Sequence, residues 1–193
     1  MLELYFAPGS SSMAPHIALH EIGCPFEPRP VSFHAKGTRT PEFLALNPAG
    51  KVPVLVVDGR PICEVLAILH YLACAYPEAG LLPDDPVAEA EALAWMSFLA
   101  SHVHPSRGQG LEAARAAWSL ADAKLGSADW AVGDRYSIAD IHLFRIYWRF
   151  RGSLNPGPGE FAKLERHYER MMARPAVQKT IEVETAIGYQ LPA

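Results

Sequence analysis

Asn47-Pro48-Ala49-Gly50-Lys51-Val52-Pro53-Val54-Leu55 decides the fold reading, together with Cys63-Glu64-Val65-Leu66-Ala67-Ile68 just beyond it. A turn feeds a proline that opens a short apolar strand, Val54 to Val57. Asp58-Gly59 suits the tight hairpin turn whose two central residues both take positive φ, so Arg60–Cys63 returns as the partner strand. Glu64 stands where that strand gives way to a helix. This order sets a backbone edge beside a helix N-terminus, each with unpaired N–H groups. Such a corner suits an extended, anionic, peptide-like ligand. Val52-Pro53 is also a candidate cis step, which bends the chain and exposes the Val52 backbone.

Working outward, Leu2–Phe6 reads as a strand and is followed by a Gly/Ser/Pro loop. A helix runs from about Ser12 to Glu21, with Pro15 in the first turn, where its missing N–H costs little. Gly23 is a plausible C-cap. Glu27–Phe33 reads as a second strand, parallel to the first if the helix is a crossover. Thr40–Leu46 reads as a short helix. Val65, Ile68, Leu69, Leu72 and Tyr76 have helical spacing, giving a helix over Val65–Tyr76. The order βαβαββα is that of a thioredoxin-like domain over residues 1–77. Residues 78–86, rich in Pro, Gly and Asp, read as a linker. Residues 87–193 carry no strand signal. Ala88, Ala92, Trp95, Met96, Leu99 and Val103 share one helical face. Further helices are expected near Leu111–Leu125, Ser137–Phe150, Phe161–Met172 and Pro175–Ile187. Ser137-x-x-Asp140 is a capping-box variant. The fold class is therefore α/β plus all-α, a thioredoxin-like domain followed by a helical bundle.

The bulk properties exclude several function classes. The chain has 193 residues, half of them hydrophobic, and a net charge of −4. The size suffices for a substantial core, and no basic footprint for nucleic acid is present. No apolar run approaches the roughly 18 residues of a membrane span, and no secretory leader is visible. Cys24, Cys63 and Cys74 are odd in number and lack metal-ligand spacing, which fits free thiols in the cytoplasm and no metal.

Asn-Pro-x-Gly-Lys-Val-Pro followed by an acidic residue at a helix start resembles the glutathione-binding half of the glutathione S-transferases. Leu4-Tyr5-Phe6-Ala7-Pro8-Gly9-Ser10-Ser11-Ser12-Met13-Ala14-Pro15-His16-Ile17-Ala18-Leu19 is similar to the first strand, loop and helix of bacterial, beta-like members. The likeness continues in Ser101-His102-Val103-His104-Pro105 and in Ser137-Ile138-Ala139-Asp140, so it spans nearly the whole chain. It implies a transferase that binds glutathione as co-substrate, attacks a small hydrophobic electrophile with its thiolate, and pairs as a homodimer. Glutathione-dependent isomerase or peroxidase chemistry is the alternative. A transferase-like binding protein without catalysis is another.

The resemblance also implies site residues. In beta-like transferases a cysteine occupies the position aligned with Ser11. A serine cannot form a mixed disulfide with glutathione, so the departure favours a hydroxyl that donates to the sulfur and lowers its pKa. The N–H groups and dipole of the following helix would add to this. Ser10 and Ser12 are neighbours of the same kind; any of the three serines could instead simply cap the helix. Tyr5 ends the first strand, where other transferase classes carry a sulfur-activating tyrosine; packing beside the site is its other reading. Val52, before Pro53, would offer its N–H and C=O to the cysteinyl backbone. Glu64 would accept from the γ-glutamyl ammonium. Val65 replaces the usual small residue, often Ser, so one hydroxyl contact is missing and affinity should be weaker or altered. Lys36 and Lys51 either pair with ligand carboxylates or are solvated. Cys63 reads as a structural thiol. His102 and His104, two apart on a helix, point to nearly opposite sides and cannot share a metal. The resemblance implies that His104 faces the thiol. Arg107, Trp118 and Trp148 are weaker candidates for an acceptor pocket.

Overall fold

A computed structural model describes residues 1–191. Its contacts divide the chain into two units: Met1–Ala75 together with the chain from Pro175 onward, and Tyr76–Arg174.

The first unit holds β1 (Leu2–Phe6), α1 (Met13–Ile22), β2 (Glu27–Pro30), α2 (Pro41–Leu46), β3 (Val54–Val57), β4 (Arg60–Cys63) and α3 (Val65–Ala75). Its mixed four-stranded sheet has the order β2-β1-β3-β4. β1 pairs parallel with β2 and antiparallel with β3, Tyr5 standing opposite both Arg29 and Val54. This is the expected βαβαββα order. Alternation along β1 buries Leu2, Leu4 and Phe6 and sends Glu3 and Tyr5 to the other face. There Phe43, Val52, Val54 and Val56 form a core cluster that Tyr5 joins. Asp58 and Gly59 both have positive φ, as the hairpin turn requires.

β2 is shorter than the expected Glu27–Phe33. Pro28 and Pro30 have no N–H to donate, so the strand can pair on one side only and stays an edge. All four of its residues are exposed.

The second unit holds α4 (Pro86–Phe98), a π-helical turn at Leu99–Val103, α5 (His104–Ser106), α6 (Leu111–Leu125), α7 (Ile138–Leu154) and α8 (Ala162–Met172). Trp95, Leu99, Trp118, Leu143, Tyr147 and Phe161 anchor its core. The capping box at α7 is present: the Ser137 side chain takes a first-turn N–H, and Asp140 accepts the Ser137 N–H at 2.9 Å.

The last helix, α9 (Pro175–Ile187), was expected in the helical half. It packs instead on α1 of the first unit. The reason is a pair of polar links across apolar surface. His16 Nδ1 lies 2.9 Å from Glu184 Oε1, and His20 Nδ1 lies 2.8 Å from Thr180 Oγ1. Ala176, Val177, Thr180 and Glu184 are the helix's buried residues.

Candidate active site

The loop between β1 and α1 is braced by its own serines. Ser12 Oγ donates to the Ala7 carbonyl at 3.1 Å and accepts the Ala7 N–H at 3.1 Å. Its single proton is thereby used, so Ser10 is the donor in the 2.6 Å contact between the two hydroxyls. Ser10 in turn accepts the Ser12 N–H at 3.2 Å. Both serines are buried. Ser12 makes no side-chain cap to α1, so capping by that serine is not what the loop does.

The first turn of α1 uses its own amides. Met13 donates to the Ser10 carbonyl at 3.1 Å, Ala14 to the Ser11 carbonyl at 3.3 Å, and Pro15 has no N–H. An anion at this helix start therefore meets fewer open donors than a bare helix terminus offers. Ser11 is different from its neighbours. It is half-buried, and its hydroxyl donates to the Val52 carbonyl at 3.1 Å. Among the described residues its own N–H has no acceptor.

Val52 is buried, and the Val52–Pro53 bond is cis. Its C=O, expected to be open to a ligand, already accepts from Ser11; the second lone pair of that oxygen remains. Asn47 holds the approach to it by donating to the Lys51 carbonyl at 2.7 Å and accepting the Ala49 N–H at 3.0 Å. Glu64 is exposed, has φ +71°, and gives its carbonyl to Ile68 N–H at 3.0 Å, so its backbone starts α3. A non-glycine residue held at positive φ is a rare arrangement that clusters at functional sites. Val65 follows as the first residue of α3, half-buried. Cys63 Sγ faces the Leu46 carbonyl at 3.8 Å, and burial, then Glu64, raises its thiol pKa; both effects suit a structural thiol.

The structure thus joins Ser11 directly to Val52 beside Pro53, with Ser10 behind them. Lys36 and Lys51 are exposed on loops with no side-chain bond among the described residues. Tyr5 lies on the Phe43 face of the sheet, ring centroids 6.1 Å apart, packed against the cluster that holds Val52, and lines a cavity of about 440 Å³ with Val31, Thr40 and Leu46. Neither Ser11 nor Val52 is bonded to it. His104 belongs to the helical unit, where its ring lies 5.6 Å from Phe150 while His102 stacks on Phe98 at 5.3 Å. Desolvation, then Arg145 and Arg107, lower the His104 pKa from its ordinary value. The π-helical turn just before Pro105 is the helix irregularity that proline foreshadowed.

Two residues escaped the sequence reading, His16 and Glu184. A histidine within Met13–Leu19, a run otherwise apolar, was a signal that a polar partner must exist; nothing in Val183-Glu184-Thr185 said that it lies there.

Comparison with known proteins gives the family. Residues 1–74 match the family model described as the glutathione S-transferase N-terminal domain, and residues 91–175 match the C-terminal domain model. Glutathione S-transferase GST-4.5 of Xanthomonas campestris pv. campestris is 30% identical, over 95% of this chain and 98% of its own length. A crystal structure of a glutathione transferase homolog from sulfitobacter with bound glutathione superposes with a TM-score of 0.88 at 28% identity, covering 95% of this chain and 98% of that one. A sphingomonad glutathione S-transferase complexed with glutathione gives 0.86 at 29% identity, with 95% and 98% covered. The chain belongs to the glutathione S-transferase family.

Proposed function

We propose that the chain is a glutathione transferase whose thiol-activating group is Ser11. The observation that carries this is the 3.1 Å bond from the Ser11 hydroxyl to the Val52 carbonyl, beside the cis proline and with the Ser11 N–H open. A tripeptide lying along Val52 would donate its own cysteinyl N–H to that carbonyl. The Ser11 O–H is then released toward the sulfur, where it donates to the thiolate and lowers the thiol pKa. The thiolate attacks an electrophilic carbon: an S–C bond forms, a C–Cl bond of a chloronitrobenzene breaks, chloride leaves, and the thiol proton passes to water. Glu64 takes the ligand's ammonium, and Lys36 and Lys51 its carboxylates. The resemblance gives His104 and Tyr5 as further candidates at the thiol, and neither is assigned a step.

Calorimetric titration with glutathione, beside turnover of a chloronitrobenzene, tests the reading. Ser11→Ala should lower kcat by roughly ten- to a hundredfold, with unfolding unchanged. An unaltered rate removes Ser11 from the mechanism; no heat of binding removes glutathione. A second reading is isomerisation, favoured by 36% identity to the maleylacetoacetate isomerase of Rhizobium meliloti over 63% of this chain. Rates on a maleyl-type substrate and an organic hydroperoxide separate these chemistries from transfer.

A homodimer is expected on the family's habit, and light scattering measures it. Cytoplasmic location is supported by three free cysteines, Cys24, Cys63 and Cys74. No described helix is long and apolar enough to cross a membrane.

A further inference from the structure

We infer that Glu184, near the far end of the chain, is a positioning residue that holds the serine loop in register with Val52, a role that rests on the transferase reading above. Its carboxylate has two fixed partners. Oε2 accepts the Gly9 N–H at 2.6 Å, and Oε1 lies 2.9 Å from His16 Nδ1. Glu184 is wholly buried and His16 nearly so. A buried carboxylate is expensive unless every contact is made. Here one oxygen is given to the loop and the other to the helix that follows it.

Gly9 is the hinge of that loop. Its φ of +73° belongs to the left-handed region, and a Cβ placed there would stand 2.9 Å from the Tyr189 ring. So the chain beyond α9 presses on one side of Gly9 while Glu184 takes its amide. Ser11 is two residues further on, and its hydroxyl reaches Val52 only if the turn between Ala7 and Met13 keeps its shape. The serines brace that turn from within, through the Ser10–Ser12–Ala7 contacts. Glu184 is the bond that ties it to a separate element. The imidazole of His16 fixes the rotamer of the carboxylate, and Phe6 packs on that imidazole at 4.7 Å.

The geometry separates binding from chemistry. Val52 and Glu64 belong to other elements, the cis-proline corner and the start of α3. Loss of Glu184 should therefore leave glutathione affinity nearly unchanged while displacing Ser11 from the sulfur.

A double-mutant cycle on purified full-length protein tests this. Glu184→Ala should lower kcat roughly tenfold with little change in KM for glutathione. Glu184→Gln should keep most of the rate, because its amide oxygen still accepts from Gly9 and its NH₂ donates to His16 in the other tautomer. In a Ser11→Ala background, Glu184→Ala should have no further effect on kcat, since the group it positions is gone. If the two losses multiply in full, Glu184 does not act through Ser11 and the inference falls. If Glu184→Ala does not fold, Glu184→Asp takes its place in the cycle: one methylene shorter, its carboxylate cannot hold both Gly9 and His16 at their present distances. The Gly9 amide proton in an NMR spectrum gives a second readout, and Glu184→Gln should move it upfield. An unmoved Gly9 signal overturns the inference. Wild-type protein without any turnover sinks the transferase reading itself, a result distinct from a working enzyme whose variants multiply.

Discussion

Val65 occupies the first position of α3, directly after a glutamate held at φ +71°. A side chain there projects from the start of a helix, where a hydroxyl would add one hydrogen bond to a ligand carboxylate. Valine cannot supply it, though its N–H can. Val65→Ser should therefore tighten glutathione binding by about 1 kcal/mol, close to fivefold, in a calorimetric titration. An unchanged Kd would mean that the ligand carboxylate lies elsewhere. The same position shows how far residue types alone reach. The bend at Val52–Pro53 and the place of Glu64 directly before α3 were legible because turn chemistry states them. The division of labour among three adjacent serines was not. It depends on which hydroxyl finds Ala7 and which finds Val52, and sequence neighbours look equivalent until the loop is folded. Tyr5 shows what strand alternation adds: it sets the ring against Phe43, on the face of the sheet that carries the cluster with Val52.

At the scale of elements, the start of α7 carries the helical unit. Asp140 is fully buried. It accepts the Ala131 N–H at 2.7 Å and the Ser137 N–H at 2.9 Å, and contacts His167 Nε2 at 3.0 Å. One carboxylate thus caps a helix, closes the preceding loop and ties α7 to α8. Asp140→Ala leaves buried donors without acceptors and should cost about 3 kcal/mol in chemical denaturation. A cost below about 1 kcal/mol would reduce it to an ordinary surface cap. This element was legible, because Ser-x-x-Asp ahead of an apolar run states its own geometry. The end of β2 was less so. The sequence reads a strand over Glu27–Phe33; the folded chain ends it at Pro30, on the sheet edge where Pro28 and Pro30 are tolerated.

For the whole molecule, three histidines are held below their ordinary pKa. Burial, then His16 and Lys179, bring His20 from 6.5 to about 4. Burial, then Arg145 and His104, bring His142 from 6.5 to about 3. His104 moves the same way. In the unfolded chain these imidazoles take up protons near pH 6.5, while the folded protein refuses them. Protonation therefore favours unfolding, and the stability from neutral imidazoles is present above about pH 6.5 and lost as the pH falls toward 4. The melting temperature should decline from about pH 7 to about pH 5, before the lowered carboxyls of Glu160 and Glu165 begin to protonate. His20→Gln should flatten that decline; an identical slope would place the uptake on other groups.

The sequence by itself determined the element order, the hairpin and cis-proline corner, the change from strand to helix near residue 76, and the family. These are local signals, set by backbone preference, periodicity and short motifs that neighbouring residues complete among themselves. Only the tertiary structure decided that α9 returns to α1, that Glu184 reaches Gly9 and His16, and that Ser11 rather than its neighbours meets Val52. Those contacts join residues more than a hundred positions apart, or choose among identical side chains. In each case the deciding energy comes from burying a polar group with the one partner that satisfies it, and that partner exists only once the chain has folded.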